Sequence, residues 1–180
     1  MAKNVTLSTS DSSPALFDSL KKLQKRQVYV GIPEANSTDR EATLLGMAGK
    51  SKGKKARRLA VAASQDVTNA GLLFIHTNGS PLKHIPARPV LEPAIEANKD
   101  SITFELGKAA KDVLEDRDPT ANLQRAGLQG QNAARKWFTD PRNAWAPNAP
   151  STIRRKGSDR PLISTGAMRA AITSVVGTED

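Results

Sequence analysis

The sequence predicts an α+β fold in which a small antiparallel sheet packs against a long helical hairpin, with extended proline-rich loops around it. Three observations carry this. Apolar or small residues recur at spacings of three and four from Leu91 to Val113, and again from Leu123 to Trp137, as expected of two helices that each bury one face. Short β-branched runs, "QVYVGI" and "ITSVV", lie towards the two ends of the chain. Prolines gather in "HIPARPVLEP" and "TDPRNAWAPNAPSTIRRKGSDRP", where a fixed φ and a missing N–H suit extended connections.

A chain of 180 residues suits one domain. The reading assigns a flexible N-terminal segment to 1–12 and a single domain to 13–180, with a mobile basic loop over 34–58 and an extended arm over 139–161. Cysteine is absent, which excludes disulfides, thiolate nucleophiles and cysteine metal clusters. No run approaches the roughly 18 apolar residues that span a bilayer, and "MAKNVTLSTSDSSP" lacks the apolar centre of a secretory signal, so a cytoplasmic chain with no membrane partner is expected.

Taken in order, "SPALFDSLKKLQKR" offers a Ser cap, Pro at the first helical position and a stripe of Leu16, Phe17, Leu20 and Leu23. The strand "QVYVGI" follows, with Val28, Val30 and Ile32 on one face and Tyr29 on the other. Residues 33–58 hold turn formers, glycines and cations around one modest apolar patch at Leu44, Leu45 and Met47. A helix over about Ala60–Ile75 is preferred, although the block Leu72–Ile75 also suits a buried strand end.

The face Leu91, Ile95, Asn98, Ile102, Leu106, Ala109 and Val113 predicts one long helix. Asp118 is a good cap for the next, whose inner face is Leu123, Gly127, Gly130, Ala134 and Trp137. Beyond it the proline-rich arm is expected to be non-helical. Ser164 or Thr165 then caps a short turn in which Gly166 permits close packing and Met168 and Ile172 point inward, before the last strand.

Lys plus Arg outnumber Asp plus Glu by 27 to 18, a surplus of nine that favours anionic neighbours. Six cations, Lys50, Lys52, Lys54, Lys55, Arg57 and Arg58, contain no acid among them; they form either a solvated loop or a contact to DNA or an acidic partner. Pro86 and Pro89 hold Ile85 and Arg88 out of the helical region, so a stiff strut presents Arg88. Its expected partner is a carboxylate or phosphate elsewhere, and within one chain an internal ion pair fastening the strut to the core is the favoured reading. Arg154, Arg155 and Lys156 serve either solubility or docking of the arm; Trp145 either anchors an interface or covers its own helix pair. His76 and His84 lack a carboxylate cluster and are not read as ligands. Neither a G-x-S-x-G elbow nor a phosphate-cradling glycine loop occurs, so no catalytic residue, metal or cofactor is assigned.

Gly79, Ile85–Pro89 and Leu91, then Trp145, Pro147, Thr152 and Arg154–Lys156, then Pro161–Ile163, Thr165, Gly166, Met168 and Ile172 stand in a recognisable order and spacing. From about Gln27 to Val176 the chain resembles the tail-completion, or neck, proteins of long-tailed bacteriophages. It departs from that pattern at Phe74–Thr77, where an acidic residue before an aromatic and Gly is common, and at Val90, where an aromatic is common. The resemblance implies a non-enzymatic virion component at the head-to-tail junction, present in the host cytoplasm during assembly. It implies a homo-oligomeric ring around the DNA channel, sixfold by preference and twelvefold as the alternative, between the head-tail connector and the tail-tube or terminator proteins. Arg88, Trp145, Arg154, Arg155 and Lys156 are then contacts to neighbouring subunits or partners. The competing function is a basic, sequence-nonspecific nucleic-acid-binding module, against which stands the absence of clustered aromatics.

Overall fold

The computed structural model describes residues 13–36 and 68–178. The N-terminal segment 1–12, the apolar patch at Leu44–Met47, the six cations of 50–58 and the beginning of the predicted helix at Ala60 lie outside the described residues. Within them the fold is mixed, mostly helical, with a two-stranded antiparallel sheet. The elements are α1 (Ser13–Gln24), β1 (Arg26–Gly31), α2 (Asn69–Asn78), α3 (Leu91–Glu96), α4 (Lys99–Leu114), α5 (Thr120–Trp137), α6 (Pro150–Lys156), α7 (Ala167–Ala171) and β2 (Thr173–Thr178).

The sheet joins the two ends of the described chain, with Val28 opposite Val176, Tyr29 opposite Val175 and Val30 opposite Ser174. Alternation turns Val28 and Val30 towards α5 and leaves Tyr29 and Val175 about half exposed. Two strands alone are marginal in water, so this sheet depends on the helix beneath it. Gly127 and Gly130 make that support close. A Cβ at Gly127 would stand 2.9 Å from Ser174 Cβ, and one at Gly130 would stand 2.9 Å from Val30 Cγ2. Polar bonds fix the register of β2 on α5: Ser174 N donates to Gln131 Oε1 at 3.0 Å, and Arg135 donates to the carbonyls of Ile172 and Ala170, each at 2.9 Å.

The helical hairpin forms between α4 and α5, and all five residues foreseen on the inner face of α5 are buried. Its turn is fastened by Arg117, which donates twice to Asp112 Oδ1 at 3.0 and 2.8 Å, and by Asn122, which donates to the same carboxylate. Asp118 caps α5 as expected, accepting from Thr120 N at 3.1 Å and Thr120 Oγ1 at 2.7 Å.

The expected single helix from Leu91 to Val113 is instead two, α3 and α4, broken at Ala97–Asn98. Asn98 leaves helical geometry at φ −125° and ψ 16° while its side-chain amide donates to Ala94 O at 2.8 Å, a local bond that competes with the helical ladder. Leu106, placed on the inner face by periodicity, is 40% exposed. The block Leu72–Ile75 is helical, in α2, with Thr68 accepting from Gly71 N as its cap. The main core lies where α2, the start of α3, the end of α5 and α7 meet. It comprises Leu73, Val90, Ala94, Ala134, Trp137, Phe138, Met168 and Ile172, with Val90 and Ile172 fully buried.

Candidate interaction site

The strut between α2 and α3 begins at a turn that glycine alone satisfies. Gly79 has φ +71°, and a Cβ there would lie 2.7 Å from Ala87 N and 2.8 Å from Ile85 O. Ser80 and Ile85 close the turn with reciprocal backbone bonds of 2.8 and 2.9 Å, and Arg88 N then donates to His76 O at 2.6 Å. The strut is therefore fixed to α2 before its side chains act.

Arg88 is buried, 6% exposed, and its hydrogen-bond partners among the described residues are main-chain carbonyls in place of a carboxylate. Its guanidinium donates from Nε and Nη2 to Ala146 O at 3.2 and 2.8 Å and from Nη2 to Pro147 O at 3.1 Å. The expectation that Arg88 fastens the strut holds, but main-chain carbonyls of the arm replace the expected ion pair. Pro147 has no N–H, and an extended proline-flanked backbone leaves its carbonyls unused by any ladder, which suits a planar donor fork. Burial pushes the Arg88 guanidinium below its usual value, as desolvation disfavours the charged form.

One residue earlier in the arm, Trp145 returns the contact. Its indole N–H donates to Pro89 O at 3.1 Å, and its ring meets Phe138 edge-on at 6.1 Å between centroids. Trp145 thus contacts its own chain, at the strut and at Phe138 just beyond α5. Asp140 sets the entry to this clasp by accepting from Arg142 N, Nε and Nη2 at 2.9, 3.0 and 2.7 Å, while the Arg142 guanidinium sits 5.5 Å from the Trp137 ring centre. These bonds to Arg142 hold the Asp140 carboxyl down at about 2.

No protein-family model matches this chain, and no curated protein or solved structure matches it either. The strut, Trp145, Leu162, Ile163 and Met168 all belong to or pack against one core.

The arm is not extended throughout. It holds a single 3-10 turn at Pro141–Asn143 and the helix α6, where Pro150 occupies the first turn and Gly157 ends the helix at φ +68°, its N–H bonded to Ile153 O at 2.8 Å. That Pro-first, Gly-last pattern was readable in the sequence, and the surrounding prolines masked it. Arg154 and Arg155 are exposed on α6. Lys156 is half-buried, its ammonium donating to Arg160 O at 2.6 Å. Burial, then Arg88 and Arg155 nearby, lower the pKa of Lys156, against an opposing pull from Asp159. Asn148, buried and unremarked in sequence, donates to Asp159 O at 2.9 Å and ties the loop after α6 to the arm.

Near α7, Thr165 Oγ1 accepts from Ala167 N at 3.2 Å, while Met168 and Ile172 are buried as anticipated. Gly166 serves a different purpose from the one expected: a Cβ there would meet nothing, and its φ of +84° is what the position requires. His76 lies in the last turn of α2 and His84 in the strut turn, and no group of three or more metal-ligating side chains occurs among the described residues. No described helix is long and apolar enough to cross a membrane.

Proposed function

We propose that this chain is a structural component of the head-to-tail junction of a long-tailed phage, acting by assembly and without turnover or cofactor. Copies form a closed ring around the DNA channel, six by preference and twelve as the alternative. One face of the ring meets the head-tail connector, and the other meets tail-tube or terminator proteins. The observation that carries this reading is the union of strut and arm through Arg88, Pro89, Trp145 and Pro147, because these are the residues on which the resemblance to tail-completion proteins rests.

Arg88 and Trp145 spend their hydrogen bonds within the chain, so contacts between copies fall elsewhere. Tyr29 and Val175 on the outer face of the sheet, with Phe104 and Leu114 on α4, supply exposed apolar surface for them. A clasped arm is rigid before it meets a neighbour, which lowers the ordering cost of association.

Light scattering on the eluting full-length chain, with negative-stain images of the peak, tests this at two salt concentrations with and without duplex DNA. Closed rings in the absence of DNA support the proposal. A monomer that binds DNA tightly overturns it in favour of a free-standing nucleic-acid-binding module.

A further inference from the structure

We propose that the cations of α6 and the loop after it, Arg154, Arg155, Lys156 and Arg160, bind the phosphate backbone of double-stranded DNA without reading its sequence. This deepens the functional reading above by naming residues of the folded arm that meet the DNA.

The first ground is charge accounting. Among the described residues, several cations outside the arm are paired with acids of the same chain. Arg117 bridges Asp112 and Glu115, Lys99 pairs with Glu96, Lys108 with Glu105, Arg26 with Asp118 and Arg142 with Asp140. Arg154, Arg155 and Arg160 have no such side-chain partner among the described residues, and Asp159 is the single acid acting on Lys156.

The second ground is preorganisation. Lys156 is bonded to Arg160 O, and Asn148 is bonded to Asp159 O, so α6 and the loop after it form one unit. Arg88 lies close enough behind to repel the Lys156 ammonium. The Lys156 ammonium, held at a backbone carbonyl with Arg88 and Arg155 nearby, gains when an anion arrives, because an added phosphate oxygen offsets repulsion already present.

The third ground chooses the anion. Protein partners dock on buried aromatic or large apolar anchors ringed by polar groups. Among the described residues, no exposed large hydrophobic side chain falls between residues 129 and 174. The arm offers charge without an anchor, which suits phosphates and not an acidic protein surface. With Trp145 committed to Pro89 and Phe138, no aromatic of the arm stacks on bases, and recognition stays blind to sequence.

The test is the salt dependence of binding to a labelled mixed-sequence duplex, measured by fluorescence anisotropy for the full-length chain and its R154Q/R155Q/R160Q variant. Loss of two or three phosphate contacts lowers the slope of log affinity against log salt by about 0.9 for each, or roughly 2 to 3 in all. The R154K/R155K/R160K variant keeps the slope. An unchanged slope in the glutamine variant overturns the proposal, as does polyglutamate binding that equals duplex binding at matched charge and falls with the same substitutions. Should the triple variant fail to fold, R154Q alone, on an exposed position, is expected to lower the slope by about 0.9. Light scattering on the same samples reports assembly separately: a changed slope with an unchanged oligomer supports the DNA contact whatever the oligomer, and loss of rings alone bears on the functional reading.

Discussion

The indole N–H of Trp145 donates to the carbonyl of Pro89 at 3.1 Å, joining positions 56 residues apart in the chain. This bond, with the Arg88 fork beside it, turns two proline-rich stretches into one fixed surface. Trp145→Phe keeps the ring contact with Phe138 and leaves Pro89 O without its donor, so it is expected to cost about 1 kcal/mol of stability. Trp145→Ala also removes the packing and is expected to cost about 3 kcal/mol or more. Urea unfolding midpoints of the two variants check the order.

Arg88→Lys retains the charge and loses the fork. A lysine lacks the Nε donor to Ala146 O and the planar geometry that aims Nη2 at both Ala146 O and Pro147 O, so about 2 kcal/mol of destabilisation is expected. Recovery of wild-type stability in that variant would show that charge alone fastens the strut.

Two glycines share a positive φ but differ in ψ, −175° at Gly79 against 19° at Gly157, and in what a side chain would meet. Gly157→Ala meets open space and bears only the left-handed backbone penalty, about 1 kcal/mol. Gly79→Ala combines a backbone region that glycine alone adopts readily with overlap on Ala87 N and Ile85 O, and is expected to cost on the order of 3 kcal/mol. Thermal or urea unfolding distinguishes them, and equal losses would remove the claim that the strut turn is sterically closed.

Acid should weaken the entry to the clasp. The Asp140 carboxyl sits at about 2 in the folded chain against an ordinary 3.8, so its contribution is complete above pH 3.8 and is lost as pH falls through 2. Asp112 and Asp118 are lowered in the same direction by Arg117 and Thr120 respectively. Asp140→Asn is expected to flatten the decline of stability between pH 3.8 and 2, and the carboxyl carbon resonance of Asp140 should titrate near pH 2.

How much of this was legible follows from what each residue type encodes. The inner face of α5 was readable because Leu123, Gly127, Gly130, Ala134 and Trp137 follow the helical period and the two glycines announce a close approach. The break before α4 was not, since the apolar period runs through Asn98 and the deciding event is one side-chain bond to Ala94 O. The need for a partner at Arg88 was readable; its identity was not, because backbone carbonyls belong to every residue and leave no mark in a sequence. Helix α6 carried a Pro-first, Gly-last signature that its proline-rich neighbourhood obscured.

The central claim is that this chain is a ring subunit of the phage neck, and an electron cryomicroscopy map of the particle that carries it tests this most directly. The account predicts a closed ring at the head-to-tail junction into which the α4–α5 hairpin and the clasped arm fit, with α6 turned towards the DNA. Particles whose junction contains no density fitting this fold, together with purified chain that stays monomeric, would contradict it.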